Sequence, residues 1–80
     1  MKNTFKKILC NRINFLLNKN NLTAEALAYQ SGISKGGMSE ILNGKKLPSS
    51  FTIAKICSGL NISLDEFYAD NELRRFVELL

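Results

Sequence analysis

LTAEALAYQSGISKGGMSEILNGKKL, residues 22–47, holds two short helical patterns parted by one glycine. The first runs from Thr23 to about Ser31 and turns Leu27 and Ala28 inward; the second runs from Ser34 to about Asn43 and turns Met38, Ile41 and Leu42 inward. Thr23 and Ser34 are hydroxyl residues suited to an N-cap, and Asn43-Gly44 is a natural helix stop. Gly32 supplies a turn whose backbone angle a Cβ would resist. The small Ala28 allows the two helices to approach closely where they cross, and Ile33 and Met38 fill the wedge between them.

Two helices joined by a short turn containing glycine form a helix-turn-helix arrangement. Leu22-Thr23, Leu27-Ala28, Ser31-Gly32-Ile33-Ser34, Ser39, Ile41-Leu42-Asn43-Gly44 and Pro48-Ser49 stand at mutual spacings that resemble, without a gap, the phage-repressor and Cro type (Xre-like) of helix-turn-helix regulator. The likeness continues through Ile53, Ile56, Leu60, Ile62-Ser63-Leu64 and Phe67, so it covers roughly residues 12–68. The resemblance implies an all-α chain: a compact five-helix lambda-repressor-like DNA-binding domain over residues 1–70, with the helix-turn-helix at about 23–43, and an additional C-terminal helix over 71–80. It further implies a sequence-specific transcriptional regulator of double-stranded DNA, a repressor acting as a homodimer on a palindromic operator, cytoplasmic and bacterial or phage-encoded. A regulatory protein partner is compatible with the same reading.

Bulk properties agree with one small domain. Eighty residues with 45% apolar content suffice for a single modest core. No apolar run reaches membrane-spanning length, and the short apolar clusters near the N-terminus do not make a signal peptide. Residues 1–55 carry a net charge of +7 and residues 56–80 carry −3, within a total of +4. The basic part contains the helix pair, where a polyanion is expected to sit. Cys10 and Cys57 form no CxxC, and Cys57 falls on an inward stripe as a small buried hydrophobe, so no disulfide is expected. Asn21-Leu22-Thr23 and Asn61-Ile62-Ser63 match the glycosylation pattern by accident.

Around the central pair the helical spacing continues. Phe5, Ile8, Leu9, Ile13, Leu16 and Leu17 give residues 4–19 a broad buried face, ended by Asn20-Asn21. Lys6, Lys7 and Asn14 are expected in water. Family members often pair an Arg and a Glu at the positions of Leu17 and Leu42, so an apolar contact is expected to replace that pair here. Ser49 caps a fourth helix with Phe51, Ile53, Ile56, Cys57 and Leu60 as packing residues, and Gly59 marks either a close approach or the helix end. Ser63-Leu64-Asp65-Glu66 is a capping box that opens a short fifth helix, with Leu64 and Phe67 inward. Leu73, Phe76, Val77 and Leu80 make one stripe on the last helix, the first candidate for dimerisation, with folding back on the chain's own core as the alternative.

By the resemblance, the helix starting at Ser34 enters the major groove, and Lys35, Gly36, Ser39 and Glu40 are the base-facing positions. The phosphate-facing set is Thr23, Ser34, Asn43, Lys45 and Lys46, with turn amides and ammonium groups together forming an anion site after the helix. Gly36-Gly37 is unusual, since each glycine costs a helix interior about 1 kcal/mol relative to Ala. The pair allows an unusually close approach to DNA, or lets the helix order fully only on DNA, or marks a domain that binds something else. Catalysis is not expected: there is no His, no metal-ligand spacing, no nucleophile elbow and no phosphate loop, and neither metal nor cofactor is implied. The competing class is a protein-interaction module, antitoxin-like or a regulator's partner, that keeps the fold with weak or no specific DNA reading.

Overall fold

The structure, a computed structural model, describes all 80 residues as six α-helices and no strand. The helices are α1 (Lys2–Lys19), α2 (Ala24–Ser31), α3 (Lys35–Leu42), α4 (Ser50–Leu60), α5 (Leu64–Phe67) and α6 (Asn71–Leu79). Five of the six starts have a side chain that accepts a hydrogen bond from the first turn: Thr23, Ser34, Ser49, Ser63 and Asp70. Each satisfies one of the N–H groups that a helix start leaves without an internal partner.

Three connectors share one construction. Asn21, Gly32 and Asn61 each adopt a positive φ, of 55°, 68° and 57°. The residue after each, Leu22, Ile33 or Ile62, donates its N–H to the carbonyl of Leu17, Ala28 or Cys57, at 3.0, 2.9 and 3.0 Å. The same three apolar side chains pack against the core. This closure satisfies helix-end carbonyls while an apolar side chain pins the turn. A capping hydroxyl then starts the next helix at once, giving Asn-Leu-Thr, Gly-Ile-Ser and Asn-Ile-Ser. The two apparent glycosylation sequons are therefore helix-to-helix hinges.

The core joins Leu9, Ile13, Leu16 and Leu17 of α1 to Leu27 and Ala28 of α2, Met38 and Ile41 of α3, and Ile53, Ile56, Cys57 and Leu60 of α4, closed by Phe67 and Leu73. The most extensive helix contact is α2 on α4, followed by α2 on α3. Gly59 is what brings the first pair together: a Cβ there would collide with the Ser31 hydroxyl and lie 3.0 Å from the Ser31 nitrogen and 3.1 Å from the Gln30 carbonyl carbon. Both cysteines are free thiols, with Cys57 buried. Leu17 is buried in the core, and Leu42 is partly buried against the same core.

Several packing expectations need correction. Phe51 is 71% exposed, because it lies two residues, about 200° of helix rotation, from Ile53 and so faces the opposite side of α4. Leu64 is half exposed at the outer edge of α5. In the box at Ser63, the hydroxyl accepts from the Glu66 N–H, and no return bond from the Glu66 carboxylate forms. The stripe on α6 divides. Leu73 and Phe76 are buried in the chain's own fold, and the Phe76 ring stacks on Phe5 of α1 at 5.2 Å between centroids. Val77 and Leu80 are 64% and 78% exposed and line an open apolar hollow with Met1, Lys2 and Phe5 at the start of α1.

Candidate nucleic-acid interface

Met38 and Ile41 bury one side of α3 in the core, which by helical periodicity turns Lys35, Gly36, Ser39, Glu40 and Asn43 to solvent. The candidate base-facing set therefore shares one exposed face. A shallow groove runs between the start of α2 and this face, lined by Ala24, Glu25, Lys35, Ser39, Leu42 and Asn43. At its head, Lys35 Nζ lies 3.4 Å from Glu25 Oε2, with both side chains nearly three-quarters exposed. An ion pair this exposed contributes at most about 1 kcal/mol, so Lys35 exchanges that partner readily for a stronger anion. The pair also neutralises the only carboxylate at the start of α2.

The two glycines differ. A Cβ at Gly36 would meet nothing within 4 Å, so the fold does not require a glycine there. A Cβ at Gly37 would lie 3.0 Å from the Ser34 hydroxyl and 3.5 Å from Ile33 Cγ2. That hydroxyl accepts the Gly37 N–H at 3.0 Å, so a side chain at this position would crowd the cap. Gly37 is explained from within the chain; Gly36 leaves a bare notch on the outer face.

Among the candidate phosphate residues, Thr23 caps α2 through the Ala26 N–H at 3.0 Å. The N–H groups of Ala24 and Glu25 have no partner in the chain and face solvent. Ser34 is exposed and caps α3. The amide of Asn43 is steered by its bond to the Ser39 hydroxyl at 3.2 Å. Lys45 and Lys46 are exposed and paired with no carboxylate. The turn amides do not join them: the Gly44 N–H goes to the Ile41 carbonyl, and both Lys45 and Lys46 N–H groups go to the Glu40 carbonyl, at 3.1, 2.8 and 3.2 Å. The carbonyls at the end of α3 capture those donors, so the anion-binding capacity of this loop resides in its side chains.

One cation escaped the sequence reading. Lys55, on the second turn of α4, lines a polar hollow with Ser34, Gly37, Lys46 and Thr52, on the far side of α3 from the groove. Its ammonium rests 5.0 Å from the centre of the exposed Phe51 ring. The signal was available, since Phe51 and Lys55 stand four residues apart on a helix.

No three His, Cys, Asp or Glu side chains cluster so as to hold a metal, and no helix is long and apolar enough to cross a membrane. A family model described as helix-turn-helix (HTH_3) matches residues 13–67. No curated protein and no solved structure matches the chain.

Proposed function

The chain belongs to the helix-turn-helix family HTH_3, a family of DNA-binding regulators, and on that premise we propose that it is a dimeric repressor that reads a palindromic operator with α3 in the major groove. The observation that carries this reading is the outer face of α3: five polar or bare positions in a row on a helix whose opposite side is locked into the core. An α-helix fits the major groove, where Lys35 has guanine O6 and N7 as acceptors and Glu40 has cytosine N4 as a donor. Ser39 between them suits either.

Affinity comes from elsewhere. Lys45 and Lys46 neutralise phosphates on one side of α3, and the free N–H groups of Ala24 and Glu25 beside Thr23 suit a phosphate on the other. Lys55 and Ser34 extend the first of these contacts. Two recognition helices on adjacent turns require a twofold dimer. Val77 and Leu80, left exposed at the end of α6 beside Met1, are the side chains from which we build that contact. Leu73 and Phe76 hold α6 in place beneath them. Occupying a promoter in this way would exclude transcription.

Selecting bound fragments from a random duplex pool tests this reading. A palindromic consensus is expected, with half-site centres about 10 bp apart or a multiple of that. Recovery of a single half-site without symmetry would remove the dimer. Failure to retain any duplex at low salt would favour a protein-interaction module.

A further inference from the structure

We propose that the amino-terminal half of α1 carries an additional DNA-backbone site, in which Lys6 and Lys7 contact phosphates on duplex flanking the segment that α3 reads. This rests on the DNA-binding reading of α3. It concerns residues outside the 13–67 span of the family match.

The geometry starts at the last carbonyl of α3. The Leu42 carbonyl accepts from the Cys10 thiol and from the Asn14 amide, the latter at 3.1 Å, so α1 is fastened to the end of the recognition helix. A Cβ on Gly44 would lie 3.9 Å from the Cys10 sulfur, which puts the following loop in van der Waals contact with α1. Lys6 and Lys7 precede Cys10 by four and three residues, so they share its side of the helix, about 5 Å further along the axis. A single groove is in fact lined by Asn3, Lys6, Lys7 and Cys10 on α1 and by Asn43 and Gly44 on the loop. The loop that carries Lys45 and Lys46 therefore borders, through Asn43 and Gly44, a groove that holds two more cations and an amide.

Charge selects the occupant. Residues 1–24 contain no acid, and neither Lys6 nor Lys7 pairs with a carboxylate. Glu72 of α6 lines the hollow formed with Thr4 and Ile8, which do not line the groove of Lys6 and Lys7. A concave basic strip continuous with a phosphate-facing loop fits a polyanion that extends past the loop, which a duplex does.

The test measures apparent affinity against salt for the full chain on random-sequence duplexes of about 10 bp, one helical turn, and about 30 bp. Lys6→Ala with Lys7→Ala is expected to lower the salt slope on the long duplex by about 1.8 per bound protomer, at about 0.9 per phosphate contact, and to leave the short duplex unchanged. Lys2→Ala with Lys19→Ala, which removes the same charge away from the groove, is expected to leave both slopes unchanged. An unchanged slope for the Lys6/Lys7 variant on the long duplex, beside a slope lowered by Lys45→Ala with Lys46→Ala, would overturn the flanking site alone. So would an equal fall on both lengths, or an equal fall from the Lys2/Lys19 control. A wild-type chain that binds neither duplex would overturn the DNA reading itself.

Discussion

Replacing Arg12 with alanine is expected to remove about 3 kcal/mol of folding stability and to lower the unfolding midpoint by about 12–24 °C. Arg12 is the one charged residue in the buried set. Its Nε donates to the Phe67 carbonyl at 2.7 Å and its Nη2 to the Glu66 carbonyl at 2.8 Å, both at the end of α5. Nη1 lies 3.8 Å from Asp70 Oδ1, and the other oxygen of that carboxylate caps α6 through the Leu73 N–H at 3.0 Å. One guanidinium thus ties α1 to the end of α5 and the start of α6. Truncation leaves the Phe67 carbonyl without a donor, leaves the Glu66 carbonyl only its 3.3 Å bond from the Ala69 N–H, and removes the cation facing a partly buried carboxylate, and such groups lose far more than the pair gains by forming. The figure is set at the low end because Asp70 keeps 23% of its side chain in water. Against a total stability of about 4–12 kcal/mol for a domain of this size, it is a large fraction. Thermal unfolding followed by circular dichroism measures it, and limited proteolysis should cut first between α5 and α6. A midpoint within about 3 °C of wild type would show that the three bonds carry little.

Gly59→Val is the second large effect, expected to cost about 3 kcal/mol through overpacking. The added Cβ already lies 3.0 Å from the Ser31 nitrogen and 3.1 Å from the Gln30 carbonyl carbon, which are backbone and cannot rotate away, and the valine methyls add further bulk. The C-terminal turn of α2 must move, and with it the Gly32 hinge that aims α3, so DNA affinity should fall along with stability. Gly36→Ala is the contrast, because the same kind of change enters open space. It should raise stability by as much as about 1 kcal/mol. If affinity then rises, α3 orders on DNA; if it falls, the notch admits DNA closely. Loss of stability in Gly36→Ala, or none in Gly59→Val, would contradict the packing described for these two positions.

The helix pair and its hinge were legible from residues 22–47 because periodicity, hydroxyl caps and a turn glycine all agreed there. The last helix was legible as an amphipathic stripe, but a stripe does not reveal how far its partner extends. Phe76 meets Phe5, while Val77 and Leu80 do not reach the core. Arg12 was hidden by its context, one charge between Leu9 and Ile13 on a buried face, although a charge in that position demands partners from elsewhere in the chain. Asn21 and Asn61 drew attention as sequons, while their common place in an Asn-apolar-hydroxyl hinge depended on bonds back to Leu17 and Cys57. The turn amides after α3 could be assigned only once the Glu40 and Ile41 carbonyls were seen to hold them. In the proposed interface, the side chains on each helix face followed from spacing, whereas the alignment of α1 with the end of α3 depended on the Leu42 carbonyl.

The most direct test of the account is the salt dependence of binding to a random-sequence duplex, for wild type beside Lys45→Ala with Lys46→Ala. Wild type should lose affinity with a slope of several ion equivalents, and the double variant should bind all sequences more weakly with a slope smaller by about 1.8 per bound protomer. An altered sequence preference in the variant would contradict the phosphate role of the two lysines, and no binding of wild type to any duplex at low salt would contradict the account as a whole.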